Sequence, residues 1–353
     1  MPARTAHDLP ARAAEGAPPT TYPAHATEEA VPMRFLFDAE QRAFIGSLDK
    51  MLTAADTPAA VRAWSRGEHA AGRALWSRLA DAGVWALAVP ESRGGLGPRP
   101  VELAAAFVEL GRHAVPGPLA ETVTAAVLLA GLPETGPAGR LVPALQAGEA
   151  LATVAWDAPY ALDGDVAGVR LALTGESLFL SPGHGPVRRS LDPARRLTPL
   201  APGGRLLASG PPPARALLHA RLCTAAQALG VGEALLAQAV GHVRRRTQFG
   251  VPVGSFQAVK HRLADARIGL GFARPLVFGA ALTLDPADVA AAKVAAGEAA
   301  YATARAALQA HGAIGYTAEC DLSLWLTKAR ALLGAWGDPD TCRTEVLRGA
   351  GLR

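Results

Sequence analysis

One apolar stripe constrains this chain more than any other feature. Leu218, Leu222, Ala225, Leu229, Gly232, Leu236, Ala239 and Val243 follow one another in alternating steps of four and three. That beat lays a single apolar face along a helix of about seven turns, which has to pack into a bundle. Arg244, Arg245 and Arg246 close the run, and Phe249-Gly250 with Pro252 turns the chain. Gln257 opens a second periodic run through Val259, Leu263, Ala266 and Leu270. A guanidinium at a helix end, beside a glycine that lets backbone approach closely, suits a diphosphate. A solvated basic C-cap set against the helix dipole suits the same residues, and the pattern alone leaves both open.

With 353 residues, half of them hydrophobic, the chain can bury a large core and divide into two or three domains. Aromatics make up only 5%, and the alanine- and leucine-rich runs are helical in period, which favours a mainly helical protein. The formal charge of +4 is spread along the chain rather than packed into a basic stripe, so nucleic acid is not an expected partner. Leu119–Leu132, the purest apolar run, is interrupted by Glu121 and is too short for a membrane span. Cys223, Cys320 and Cys342 lack metal-ligand spacing and fit reduced thiols in a cytoplasm, and no close histidine pair suggests a metal.

Residues 1–33, rich in Ala, Pro and Thr without an apolar period, are expected to form a disordered leader. Residues 34–140 read as an N-terminal helical domain, with Asp38 as an N-cap and Leu75, Trp76 and Leu79 on one helix face. Between 141 and 213 proline and glycine rise, and short alternating runs at Leu151–Trp156, Val166–Leu173, Leu178–Leu180 and Arg205–Ala208 predict a small β domain. Residues 214–353 return to helices, with Asp285-Pro286 as a start and an alanine-rich run over Ala287–Ala310 suited to a four-helix bundle. A last full helix is expected over Asp321–Leu333, ending at Gly337-Asp338-Pro339.

Three motifs in order carry a family resemblance. Arg246-Thr247-Gln248-Phe249-Gly250, Pro252, Phe256-Gln257 and Leu263-Ala264-Asp265 resemble the flavin-binding signature of the acyl-CoA dehydrogenases. Gln309-Ala310-His311-Gly312-Ala313-Ile314-Gly315-Tyr316-Thr317 resembles a second signature of the same family, with Ala313 in place of a glycine. Leu79, Gly83, Pro90-Glu91 and Gly94-Gly95-Leu96-Gly97 resemble a third near the front. The resemblance implies an N-terminal helical domain, a middle β domain and a C-terminal four-helix bundle. It also implies FAD, held by Arg246, Gln248, Phe249, Gln257, Gln309 and Gly312, and α,β-dehydrogenation of an acyl-CoA or acyl-carrier-protein thioester. Departures cluster in the β domain: Trp156-Asp157-Ala158-Pro159 stands near the usual Thr-Glu-Pro, and neither the Gly-Ser-Asp element nor the aromatic-Ile-Thr strand is recognisable.

The reaction needs a carboxylate to remove the α-proton and a flavin to accept the β-hydride. In the family the base lies after the final signature, or on the long helix before an Arg-Leu pair. Those positions hold Trp336 and Ala220 here. Glu319, in the loop before the last helix, is the remaining weak candidate. The chain's ending is similar to short actinobacterial members, among them heteromeric steroid side-chain dehydrogenases in which base-bearing and base-less chains pair. The expected assembly is therefore a homo-oligomer, or a heteromer with a base-bearing homologous subunit. A non-redox or non-catalytic partner subunit that has kept the fold is the alternative.

Overall fold

The computed structural model describes residues 36–210, 214–317 and 319–352, so the expected leader over 1–33 lies outside the described residues. Six helices come first: α1 (Ala39–Thr53), α2 (Thr57–Ser65), α3 (Ala70–Asp81), α4 (Pro100–Arg112), α5 (Leu119–Ala130) and α6 (Ala138–Gln146). Asp38 caps α1 as expected: its carboxylate accepts from Gln41 N at 2.8 Å, and the Gln41 side chain accepts from Asp38 N at 3.1 Å, a reciprocal capping box. The glycine-rich segment after α3 folds back as tight turns, with Gly97 N donating to Val89 O at 3.0 Å.

The middle of the chain supplies β1 (Ala152–Trp156), β2 (Ala161–Leu162), β3 (Val169–Thr174), β4 (Ser177–Leu180), β5 (Leu197–Thr198) and β6 (Arg205–Ser209). A four-stranded sheet runs in the order β1-β3-β4-β6, parallel between β1 and β3 and antiparallel thereafter, while β2 pairs with β5. The expected strand at Val166 starts three residues later, because Val166 N and Ala167 N both donate to Asp163 O in a turn. Thr122 on α5 ties the helical layer to the sheet, donating to Ala152 O at 2.9 Å and accepting from Ala152 N at 3.0 Å.

The last third is α7 (Ala214–Arg245), a short hairpin of β7 (Thr247–Gln248) and β8 (Val251–Pro252), then α8 (Gln257–Thr283), α9 (Pro286–His311), α10 (Leu322–Gly334) and α11 (Pro339–Gly349). Most of the apolar stripe is buried, with Leu218 and Leu236 half-buried, and from His219 to Gly232 α7 is buried on every side. It is therefore the central rod, packed against α4, α5, α8, α9 and α10. The crossing with α4 is set by two glycines. A Cβ added at Gly230 would lie 1.9 Å from Val108 O, and one at Gly111 would lie 2.1 Å from Gln227 O, so only hydrogen atoms allow the two backbones to touch. Asp285 caps α9 through Ala287 N at 2.8 Å and Asp288 N at 3.2 Å, with Pro286 at the first position. Among the described residues no helix is long and apolar enough to cross a membrane.

Candidate functional site

Two places in this framework gather chemistry. The first is a corner at one end of the bundle. Arg246 follows α7 directly, and its Nη1 donates to His311 O at 3.0 Å, where α9 ends. The two sequence signatures, 65 residues apart at this bond, thus meet through one guanidinium. His242 and His311 stack with ring centroids 4.2 Å apart and brace the same joint. Burial, and then the neighbouring His311, lowers the basicity of His242. Gly312 caps α9 at φ 66° and ψ −142°, a conformation open essentially to glycine. A Cβ there would sit 3.8 Å from Arg246 Nη1, so the missing side chain keeps the guanidinium face clear.

Gln248 lies in β7, Phe249 follows at φ 54° and is 92% exposed, and Gln257 is the exposed first residue of α8. Gln309 lines an open groove of about 620 Å³ between α8 and α9, together with Arg262, Asp265, Arg305 and Tyr316. Among the described residues no hydrogen bond joins Gln248, Gln257 or Gln309 to Arg246. The corner offers a guanidinium with bare backbone beside it, a donor that suits a diphosphate.

The second place is a cavity of about 410 Å³ where α5, β1, the start of α7 and the 335–337 turn converge. Val154, Trp156, Leu162, Leu217 and Trp336 give it apolar walls, and Glu121, Arg195 and Arg221 are its charged groups. Trp336 sits at φ 58°, a costly conformation for a bulky residue, and neighbours hold it there. Arg221 Nε donates to Trp336 O at 3.1 Å, and the same guanidinium is paired with Glu345. Lys293, 2% exposed, donates to Leu332 O at 3.1 Å, Leu333 O at 3.0 Å and Gly337 O at 3.2 Å. Burial pushes its pKa down to about 8. Finally, Trp336 Nε1 donates to Glu121 Oε1 at 3.1 Å.

Trp336 therefore lines this cavity, while Ala220 is fully buried on α7 between the lining residues Leu217 and Arg221. Glu319 is an exposed loop residue and does not line it. Sequence reasoning noticed Glu121 only as the charge that interrupts an apolar run. The signal was available: it is the one ionisable side chain in α5, a helix otherwise of Leu, Ala, Val and Thr, and it is 5% exposed. Its hydrogen-bond partner stands 215 residues away and could not be read from spacing.

The fold defines a helical-bundle protein with a small β module. Residues 38–137 match the description "Acyl-CoA dehydrogenase, N-terminal domain", and residues 213–350 match "Acyl-CoA dehydrogenase, C-terminal domain". The acyl-CoA dehydrogenase IpdE2 of Mycobacterium tuberculosis is 35% identical over 302 residues, covering 82% of this chain and 90% of its own. The ChsE4-ChsE5 complex of the same organism superposes with a TM-score of 0.77 at 26% identity, over 90% of this chain and 99% of that one. Butyryl-CoA dehydrogenase from Megasphaera elsdenii shares the fold, with a TM-score of 0.80 at 21% identity over 91% of this chain and all of that one. The chain belongs to the acyl-CoA dehydrogenase family.

Proposed function

We propose that this chain binds FAD and takes part in the α,β-dehydrogenation of an acyl thioester, as one subunit of an assembly. The observation that carries this reading is the bond from Arg246 to His311 O, which brings the two flavin-type signatures together. Arg246 and the Gly312 backbone would hold the diphosphate, and Gln309 and Gln257 would contact the same cofactor, one of them across a subunit interface. Bound flavin supplies a two-electron acceptor for the hydride that leaves the β-carbon.

The proton acceptor is the part that departs from the family. Ala220 and Trp336 occupy the two familiar base positions, so the base comes from elsewhere: a homologous base-bearing subunit, or a different carboxylate of this chain. The 26% identity to a chain of the two-component ChsE4-ChsE5 complex supports a heteromeric assembly. The test is purification under native conditions with whatever subunit accompanies the chain, followed by flavin quantitation. A stoichiometric flavin is expected, and protein free of flavin under these conditions would overturn the reading.

A further inference from the structure

The cavity lined by Trp336 is separate from the Arg246 corner. None of its lining residues belongs to that corner, and Arg221, which lines it, stands roughly 35 Å along α7 from Arg246. We infer that this cavity is a second ligand site, for a molecule with an apolar body and a single carboxylate read by Arg195. The inference does not rest on the flavin reading, and three observations carry it.

The first is the cavity's composition. Ligand sites are concave spaces of about 300–1,000 Å³ with mostly apolar walls and a few placed polar groups. This one measures about 410 Å³, and Val154, Trp156, Leu162, Leu217 and Trp336 line it. Trp156 and Trp336 meet edge to face with ring centroids 6.2 Å apart, so two indoles share one wall.

The second is an arginine whose donors are unused. The Arg195 side chain is 16% exposed. Glu121 Oε1 stands 3.9 Å from its Nη2, an ion pair too long for a hydrogen bond, and that oxygen already accepts from Trp336 Nε1. Among the described residues the Arg195 guanidinium donates no hydrogen bond, whereas the next residue, Arg196, is bonded to Asp165. Arg221, the other guanidinium lining the cavity, is committed to Trp336 O and Glu345. Arg195 therefore keeps its planar fork for an acceptor, and a carboxylate takes two parallel bonds from such a fork.

The third is preorganisation. Asp192 O accepts from Arg195 N at 2.9 Å and Asp192 Oδ1 accepts from Ala194 N at 3.0 Å, which makes a tight turn. Asp192 is 1% exposed, and its Oδ2 lies 3.5 Å from Lys328 Nζ of α10. A turn pinned to the bundle by a buried ion pair has little freedom left to lose when the side chain it carries engages a ligand.

The carboxylate belongs either to a free acid or to the far end of an acyl group whose other end is a thioester. Both present the same group to Arg195. Calorimetric titration of the natively purified assembly tells them apart, with octanoate, 1-octanol, octanoyl-CoA and the octanedioic half-thioester of CoA as probes. Arg195→Met should weaken octanoate or the half-thioester by roughly tenfold to a hundredfold and leave 1-octanol and octanoyl-CoA unchanged. Arg195→Lys keeps the charge beside Glu121 without the planar fork, so it tests the same contact should the Met variant fail to fold, with a smaller loss expected. Dependence of octanoate on Arg195 marks a free acid as the ligand, and dependence confined to the half-thioester marks the far carboxylate of an acyl thioester. If neither carboxylate probe binds, or if neither Arg195 variant alters its binding, the inference is overturned. Both variants should keep wild-type flavin content, and a flavin-free wild type is a separate result that counts against the functional reading alone.

Discussion

Arg246 and His311 are joined by a hydrogen bond of 3.0 Å that closes the corner between the end of α7 and the end of α9. The guanidinium spends one donor on this carbonyl and has others to offer an anion. Replacing Arg246 with alanine removes a charge-assisted contact that contributes about 1.5–3 kcal/mol. Flavin retention should weaken by roughly one to two orders of magnitude, measured as cofactor loss on dialysis. A variant that keeps its flavin as the wild type does would remove Arg246 from the site.

A second prediction concerns assembly. Ile268, Phe272 and Leu276 follow at four-residue spacing on α8 and are 55%, 73% and 46% exposed. An exposed apolar stripe of this kind marks an interface. Light scattering at micromolar concentration should give at least a dimer built on the C-terminal helices, and Phe272→Glu should shift the mass downward. A wild-type monomer with flavin bound would contradict this.

The third concerns pH. Asp163 is fully buried, its Oδ1 accepts from Trp64 Nε1 at 3.1 Å, and burial raises its pKa to about 8 from an ordinary 3.8. Between those values the folded chain holds a proton that the unfolded chain has lost. Stability contributed by this group therefore falls as pH rises through the window. Asn is neutral and tolerates the positive φ of 52° found here. Asp163→Asn should flatten the decline of Tm with pH and melt higher than the wild type near pH 8, by on the order of several degrees. An unchanged pH profile would show that Asp163 is ionised in the native state.

Much of the fold was legible because its signals are local. The four-and-three beat of α7, the Asp285-Pro286 start of α9 and the alternation in β3 are properties of neighbouring residues, and the structure shows those elements. Other elements were hidden by conflicting local signals. Helix α6 carries Pro143 inside it, and strands β2 and β5 are two residues each. At Gly337-Asp338-Pro339 the expected break exists, but Asp338 also accepts from Thr341 N at 2.8 Å and starts α11.

The site divides the same way. Arg246 and Gly312 are named through the family resemblance, whose motifs are local: a helix end and a glycine turn. The pairing of Glu121 with Trp336 is tertiary: α5 and the 335–337 turn meet only when α7 brings both to the sheet. A lone acid in an apolar helix was the one trace of it in the sequence.

The most direct measurement is an anaerobic visible spectrum of the natively purified assembly, titrated with acyl-CoAs of increasing bulk. A bound flavin is expected whose oxidised absorbance bleaches with at least one saturated acyl thioester, with an enoyl thioester recovered in equal amount. A colourless protein, or a bound flavin that no acyl thioester reduces, would contradict it.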